Sequence, residues 1–409
     1  MNKSFIIQLN PGIIDSNENN IINEDIKTSS NICLPLCSLG FQNYLVRTKS
    51  YMDITKKLET ESEIYYVVNP FEINISNYND NIINLTKKHV NDESNSIDIT
   101  FYKIWEILFL FDLLKKDECI FAIFSNNSNG ILQAIINYKQ YYKLDALKDK
   151  IFNISDEEVL VSSKIVKTHK GKHDITNIKT ILSFKKEIDK SKKKANLIIA
   201  DSGYETFKSI EPEMYNVLIS EIIIALKIQE KDGHFILKVF ETFTLPTLKL
   251  IYFVSSFYET IKIYKPYYSR PTLSEKYIIF KNFKYEHDTQ NDKIKILENI
   301  LLKIKTPNAN LYDIWPNLKL SQEFLIKFKF INTKLSNSQQ IMINDIVKYI
   351  GEENFFGEKY HMYRDNQIKA TKWWINNFIT KSDDFNINKH IDLYEADYNN
   401  FYSSLVKIN

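Results

Sequence analysis

Residues 196–201 read Asn-Leu-Ile-Ile-Ala-Asp. Four apolar residues in succession, closed by a carboxylate, form the pattern of a strand buried on both faces. The order of elements around this run decides the fold. Downstream, residues 215–230 carry Leu218, Ile222, Ala225 and Leu226 at helical spacing, and Gly233 is expected to stop that helix. Residues 234–240 read as the next strand, residues 246–258 as a helix with Pro246 near its start, and residues 260–264 and 276–280 as further strands. Upstream, Phe101, Ile104, Trp105, Leu108, Phe111 and Leu114 recur at helical spacing. A short apolar strand (120–124), a polar loop (125–130) and a helix (131–142) follow. Strands alternating with helices predict an α/β fold: a mostly parallel sheet with helices on both faces. After residue 290 the alternation stops, and 292–304, 339–350 and 367–379 read as helices. The chain therefore divides into an Asn-rich N-terminal extension (1–95), an α/β domain (96–287) and a mainly helical C-terminal extension (288–409).

Composition removes several classes of protein. The chain has 409 residues, 53 Lys and Arg against 51 Asp and Glu, and a formal net charge of +2, so a nucleic acid would have to be met by a local basic patch. Twenty-six Phe and 25 Tyr give ample apolar surface for a core. Three cysteines, Cys33, Cys37 and Cys119, are too few for a disulfide framework or a four-thiolate zinc site, and no HExxH motif occurs, so no metal is expected. The most apolar stretches, 104–114 and 245–261, are too short or carry charge, whereas a bilayer span needs about 18 apolar residues. The expectation is a protein of a reducing cytoplasmic compartment with no membrane partner.

In an open parallel sheet, ligands bind at the carboxyl ends of the strands. Asp201 ends one apolar run, Lys238 lies late in another, the 125–130 loop follows a third, and Glu275 directly precedes Lys276-Tyr-Ile-Ile-Phe280. A lysine inside an apolar strand is costly unless paired. Lys238 and Asp201 therefore read either as a paired site or, for Lys238, as a solvated position on an edge strand.

Three blocks carry a resemblance: Leu197-Ile-Ile-Ala-Asp-Ser-Gly-Tyr-Glu205, Gly233-His-Phe-Ile-Leu-Lys-Val-Phe240 and Lys265-Pro-Tyr-Tyr-Ser-Arg-Pro-Thr-Leu-Ser-Glu-Lys-Tyr277. In this order and spacing they resemble the FtsJ-like ribose 2′-O-methyltransferases, most closely the cap-specific mRNA branch and the FtsJ-like proteins of large DNA viruses. The resemblance covers about residues 97–285 and implies a Rossmann-like sheet that uses S-adenosylmethionine. It also implies a Lys-Asp-Lys-Glu tetrad. Phe101-Tyr-Lys-Ile-Trp-Glu-Ile107 is similar to the family's helix with the first lysine, which places Lys103 there. Asp201, Lys238 and Glu275 match the other three positions. In this reading Lys238 is the base for the ribose 2′-hydroxyl, or the group that steers it; Lys103 is the neighbouring cation, and Asp201 and Glu275 orient the two ammonium groups.

The cofactor loop departs from the family. Relatives carry an acidic-x-Pro-Gly-Gly-Phe pattern, where this chain has Asn126-Asn-Ser-Asn-Gly-Ile131. Gly130 survives and Asn129 is a residue tolerant of positive φ, but the acidic residue, the proline and one glycine are missing. Asn126, Ser128, Asn129 and Gly130 remain the loop's cofactor candidates. His173-Asp-Ile-Thr176 is similar to a family stretch that places Asp174 against the adenine amino group, and Asp145 is a weaker candidate for the cofactor ribose. Between residues 164 and 194 lie eleven lysines against Asp174, Glu187 and Asp189, readable as a solvated loop or as phosphate attraction. Lys265 and Arg270, beside the tetrad Glu, are the better-placed phosphate candidates, and Trp373-Trp374 reads as core.

The resemblance implies methylation at the first transcribed nucleotide of capped mRNA, beside other capping or transcription proteins, with a virion or viral factory as setting. A non-catalytic FtsJ-like RNA-binding or scaffold subunit with a degenerate cofactor loop is the alternative, and a ribosomal or transfer RNA substrate is a third reading.

Overall fold

The computed structural model describes residues 4–14, 21–29, 39–57, 63–73, 79–90, 97–114, 118–144, 148–161, 164–169, 174–203, 211–286, 290–305, 310–352, 355, 357–380 and 391–393. Cys33, Cys37, Asp145 and His173 lie outside the described residues.

A nine-stranded sheet organises the molecule. Its first half is parallel. β3 (Ile120–Ser125) pairs with β4 (Lys150–Ser155) on one side and β6 (Ala195–Asp201) on the other; β4 continues to β5 (Val166–Thr168), and β6 to β7 (Gln229–Val239). Beyond β7 the direction changes. β9 (Lys276–Phe283) is antiparallel to both β7 and β8 (Tyr258–Lys265), so the sheet is mixed rather than parallel throughout. β1 (Ser4–Leu9) extends the same sheet antiparallel to β8, and β11 (Ile391–Leu393) lies parallel to β1. The sheet thus draws strands from all three blocks of sequence. A separate two-stranded ribbon joins β2 (Ile26–Ser29) and β10 (Asn310–Ile314).

The pleat sorts side chains between two cores. Ile120, Ala122 and Phe124 face one core with helices α5 (Ile178–Asp189), α6 (Tyr215–Ile228), α7 (Leu245–Ser255) and α8 (Asn291–Ile304). Phe121 and Ile123 face the other, with α3 (Ile99–Phe111), α4 (Asn129–Tyr141) and α10 (Glu358–Trp374). Helices on both faces explain why β3 is buried at every position.

Two boundaries differ from the sequence reading. α6 ends at Ile228, and Gly233 lies inside β7 instead of stopping the helix, because β7 starts at once at Gln229. The strand after α4 is β4, which starts at Lys150 and which the sequence pattern does not announce because Lys150 and Asn153 interrupt its apolar run.

The C-terminal helices brace the sheet's carboxyl end. In α9 (Gln322–Gly351), Asn332 exchanges hydrogen bonds with Thr242 just after β7 (2.7 and 2.8 Å). Gln339 Nε2 donates to Ser274 Oγ just before β9 (2.7 Å). Fully buried Trp374 donates to Glu106 on α3 (2.8 Å), which also accepts from the Tyr264 hydroxyl (2.6 Å) and the Tyr267 amide (2.9 Å). Burial lifts the Glu106 carboxyl to about 7 against those hydrogen bonds.

Candidate active site

Each tetrad candidate is delivered by a different element. Lys103 sits on α3, Asp201 ends β6, Lys238 is next to last in β7, and Glu275 immediately precedes β9. β6 and β7 are neighbours and β7 pairs with β9, so three of the four converge by register alone. The side chains form two ion pairs. Lys103 Nζ meets both Glu275 oxygens at 2.7 and 3.0 Å, and Lys238 Nζ lies 3.3 Å from Asp201 Oδ2. All four side chains are less than a tenth exposed.

Electrostatics tie the pairs into one cluster. Burial would raise the Glu275 carboxyl, but Lys103, Lys238 and Lys265 together hold it at about 2. The Ser269 hydroxyl also donates to Glu275 Oε1 (2.8 Å). Asp201 accepts from the Tyr277 hydroxyl through Oδ1 (2.9 Å). Lys238 donates to the backbone carbonyls of Asp201 and Gly203 (2.7 and 3.1 Å). Gly203 needs its left-handed φ of 82°, and its amide donates to Asn126 Oδ1 (2.6 Å), which binds the end of β6 to the loop after β3. Lys238 also lines a small cleft walled by Met214, Leu218, Glu221, Phe240 and Thr247. Burial raises the Glu221 carboxyl to about 7; it accepts from the Ser202 amide (3.2 Å) and feels Lys238 and Asp201.

The altered loop is folded by its own asparagines. Asn127 Oδ1 accepts from the Asn129 amide (3.0 Å), Asn129 Oδ1 accepts from the Leu160 amide (2.7 Å), and Asn126 Nδ2 donates to Asp156 (2.7 Å). The Ser128 hydroxyl is fully buried and has no hydrogen-bond partner among the described residues. At Gly130 a Cβ would overlap the carboxylate of Asp98, the residue that caps α3. These features fit the amino-acid end of S-adenosylmethionine: a close-approach glycine at a helix start, an orphaned hydroxyl and a nearby carboxylate.

The other candidates are spread out. Asp174 is exposed and accepts from the Thr176 amide and hydroxyl (2.9 and 2.7 Å), in the turn before α5. Lys265 spends its ammonium on the carbonyls of Arg270, Leu273 and Glu275 (3.2, 2.8 and 2.7 Å) and so shapes the loop that carries Glu275. Arg270 pairs with Glu63 and Glu72 and stacks 4.0 Å over the Tyr66 ring. Its guanidinium is thus engaged within the protein, although sequence position favoured an RNA phosphate. In the lysine-rich stretch, Lys185 pairs with Asp189 and Lys193 with Glu118. Among the described residues no group of three or more His, Cys, Asp or Glu could hold a metal, and no helix is long and apolar enough to cross a membrane.

Sequence reading missed Tyr277, Glu221 and Asp98. Asp98 carried a usable signal, a helix-capping residue just before an apolar periodic run. Tyr277 and Glu221 carried none apart from their neighbours.

Residues 144–283, the stretch that runs through β4, β6, β7 and β9, match the FtsJ-like methyltransferase family. The chain carries an FtsJ-like methyltransferase domain. An uncharacterized protein of Acanthamoeba polyphaga mimivirus is 24% identical over 284 residues, which is 69% of this chain and 67% of that protein. The cap-specific mRNA (nucleoside-2′-O-)-methyltransferase 1 of Dictyostelium discoideum is 33% identical over 136 residues, 30% of this chain and 18% of that protein. Its human counterpart is 27% identical over 153 residues, 36% and 18%. The chain therefore spans under a fifth of the length of these two cap-specific relatives.

Proposed function

We propose that this chain transfers a methyl group from S-adenosylmethionine to the ribose 2′-oxygen of the first transcribed nucleotide of capped mRNA. The observation that carries the reading is the meeting of Lys103, Asp201, Lys238 and Glu275 in one buried cluster within an FtsJ-like domain. The similarity to cap-specific relatives supports the choice of RNA.

The cofactor, when bound, supplies a methyl group activated on a sulfonium centre. The chain's residues do the rest. Asn126, Ser128, Asn129 and Gly130 form the floor of the methionine end, and Asp174 is offered for the adenine. Lys238 Nζ steers the ribose hydroxyl in line; in its neutral form the amine takes the hydroxyl proton as the new carbon–oxygen bond forms and the methyl–sulfur bond breaks. Asp201 anchors Lys238, with Tyr277 fixing the carboxylate's other oxygen. Glu275 and Lys103 form the second pair and hold positive charge beside the first.

Methyl transfer from labelled S-adenosylmethionine to a short capped RNA tests the reading. Label should enter capped RNA, fail to enter its uncapped twin, and vanish with Lys238→Ala. The altered 126–131 loop favours one competitor, a non-catalytic RNA-binding subunit. Calorimetric titration with S-adenosylmethionine in the presence of capped RNA separates them, since that competitor binds no cofactor up to about millimolar.

A further inference from the structure

The family's loop carboxylate is missing from this chain, yet a carboxylate stands at the loop. Asp98 caps α3, and its Oδ1 accepts from the amides of Thr100 and Phe101 (2.8 and 3.0 Å). That leaves Oδ2 without a hydrogen-bond partner among the described residues. The same carboxylate fills the space that a Cβ of residue 130 would take, so it lies against the first turn of α4.

Charge counting isolates it. Lys103 is matched by Glu275 and Lys238 by Asp201, while Lys265 gives its donors to carbonyls. Asp98 is a fourth carboxylate in this neighbourhood, after Asp201, Glu275 and Glu221; like Glu221, which is held by the Ser202 amide, it forms no ion pair among the described residues. Burial raises its carboxyl, nearby Asp201 raises it further, and Lys103 counters them. A half-buried carboxylate with one oxygen unengaged is stabilised by an incoming cation. Next to it are groups that suit an anion. The amides of Gly130 and Ile131 lie in the first turn of α4, where a helix offers no acceptor of its own, and the Ser128 hydroxyl is buried with no partner among the described residues. Anion site and cation site side by side describe the receptor of a zwitterion.

We propose that Asp98, from the helix before the cofactor loop, receives the α-ammonium of the cofactor's amino-acid end, while the amides of Gly130 and Ile131 receive its α-carboxylate. This rests on the cofactor reading above. It makes the loop a relocated site: the carboxylate has moved from the loop to the helix that packs on it.

Calorimetry with two ligands tests the assignment. S-adenosylhomocysteine carries the zwitterion; 5′-methylthioadenosine keeps the adenosine and sulfur but lacks the amino-acid end. Asp98→Asn keeps a side-chain oxygen for the α3 cap and removes the charge. It should weaken S-adenosylhomocysteine by about 10- to 100-fold, as expected for one charge-assisted hydrogen bond, and leave 5′-methylthioadenosine within about twofold. Asp98→Ser, a second capping variant, should do the same if the first folds poorly. Unchanged affinity for S-adenosylhomocysteine in the variants overturns the assignment, as does an equal loss for both ligands, which would make Asp98 structural. Failure of the wild-type chain to bind either ligand removes the cofactor reading itself and this assignment with it.

Discussion

Replacing Glu275 with glutamine isolates the energy stored in the Lys103–Glu275 pair. The side chain keeps its shape and can still accept from Ser269, so the change is one of charge. The folded carboxyl sits at about 2 against an ordinary value of 4.5. A carboxyl held down in the folded state contributes stability above its unfolded value and loses it as pH falls toward the folded one. The difference amounts to about 3 kcal/mol at pH 7. The cost of leaving Lys103 buried without its partner is of the same order, about 3–5 kcal/mol. Urea denaturation of wild type and Glu275→Gln across pH 7 to pH 3 measures both terms. The gap between them should stay near about 3 kcal/mol down to pH 5 and shrink to less than about half by pH 3. A gap that is absent at neutral pH, or one that does not move with pH, would refute the view that these residues form a coupled, buried ion pair.

Lys238→Ala should lower methyl transfer by about 10²- to 10⁴-fold while S-adenosylhomocysteine binding, measured by calorimetry, stays intact. Gly130→Ala should destabilise the α3–α4 junction by about 1–3 kcal/mol through overlap with Asp98, read as a lower thermal midpoint. Arg270→Ala leaves Glu72, whose side chain is wholly buried, without its guanidinium. It should cost about 3–5 kcal/mol in urea denaturation and leave the salt dependence of RNA binding unchanged. Glu221→Gln should act in the opposite sense to Glu275→Gln. The Glu221 carboxyl is raised to about 7, so the unfolded chain ionises first and the wild type loses stability between pH 4.5 and 7. The variant should therefore be more stable by about 3 kcal/mol at pH 8 and by under about 1 kcal/mol at pH 5, measured the same way.

The legible part of this molecule was the part written in unbroken apolar runs. β3, β6, β7 and β9 each announce themselves, and the charged residues at their ends follow from the rule that open sheets work at their carboxyl edges. What escaped depends on contacts across the chain. Arg270 looked like a phosphate ligand because Glu63 and Glu72, which engage it, lie 207 and 198 residues away. β4 was hidden by Lys150 and Asn153 within a six-residue strand. Asp98 resembled an ordinary helix cap, and only the space missing at Gly130 reveals what it faces.

β1 occupies a place in the sheet that β8 needs, and β1 in turn carries β11. An isolated cassette cut at residues 96 and 287 would bare the whole outer side of β8, from Ile261 to Lys265, as an unpaired edge. Exposed strands of that kind recruit one another. Excising residues 96–287 for expression should therefore yield oligomers or inclusion bodies, the more so because the cut also strips α8 and α10 from the two cores.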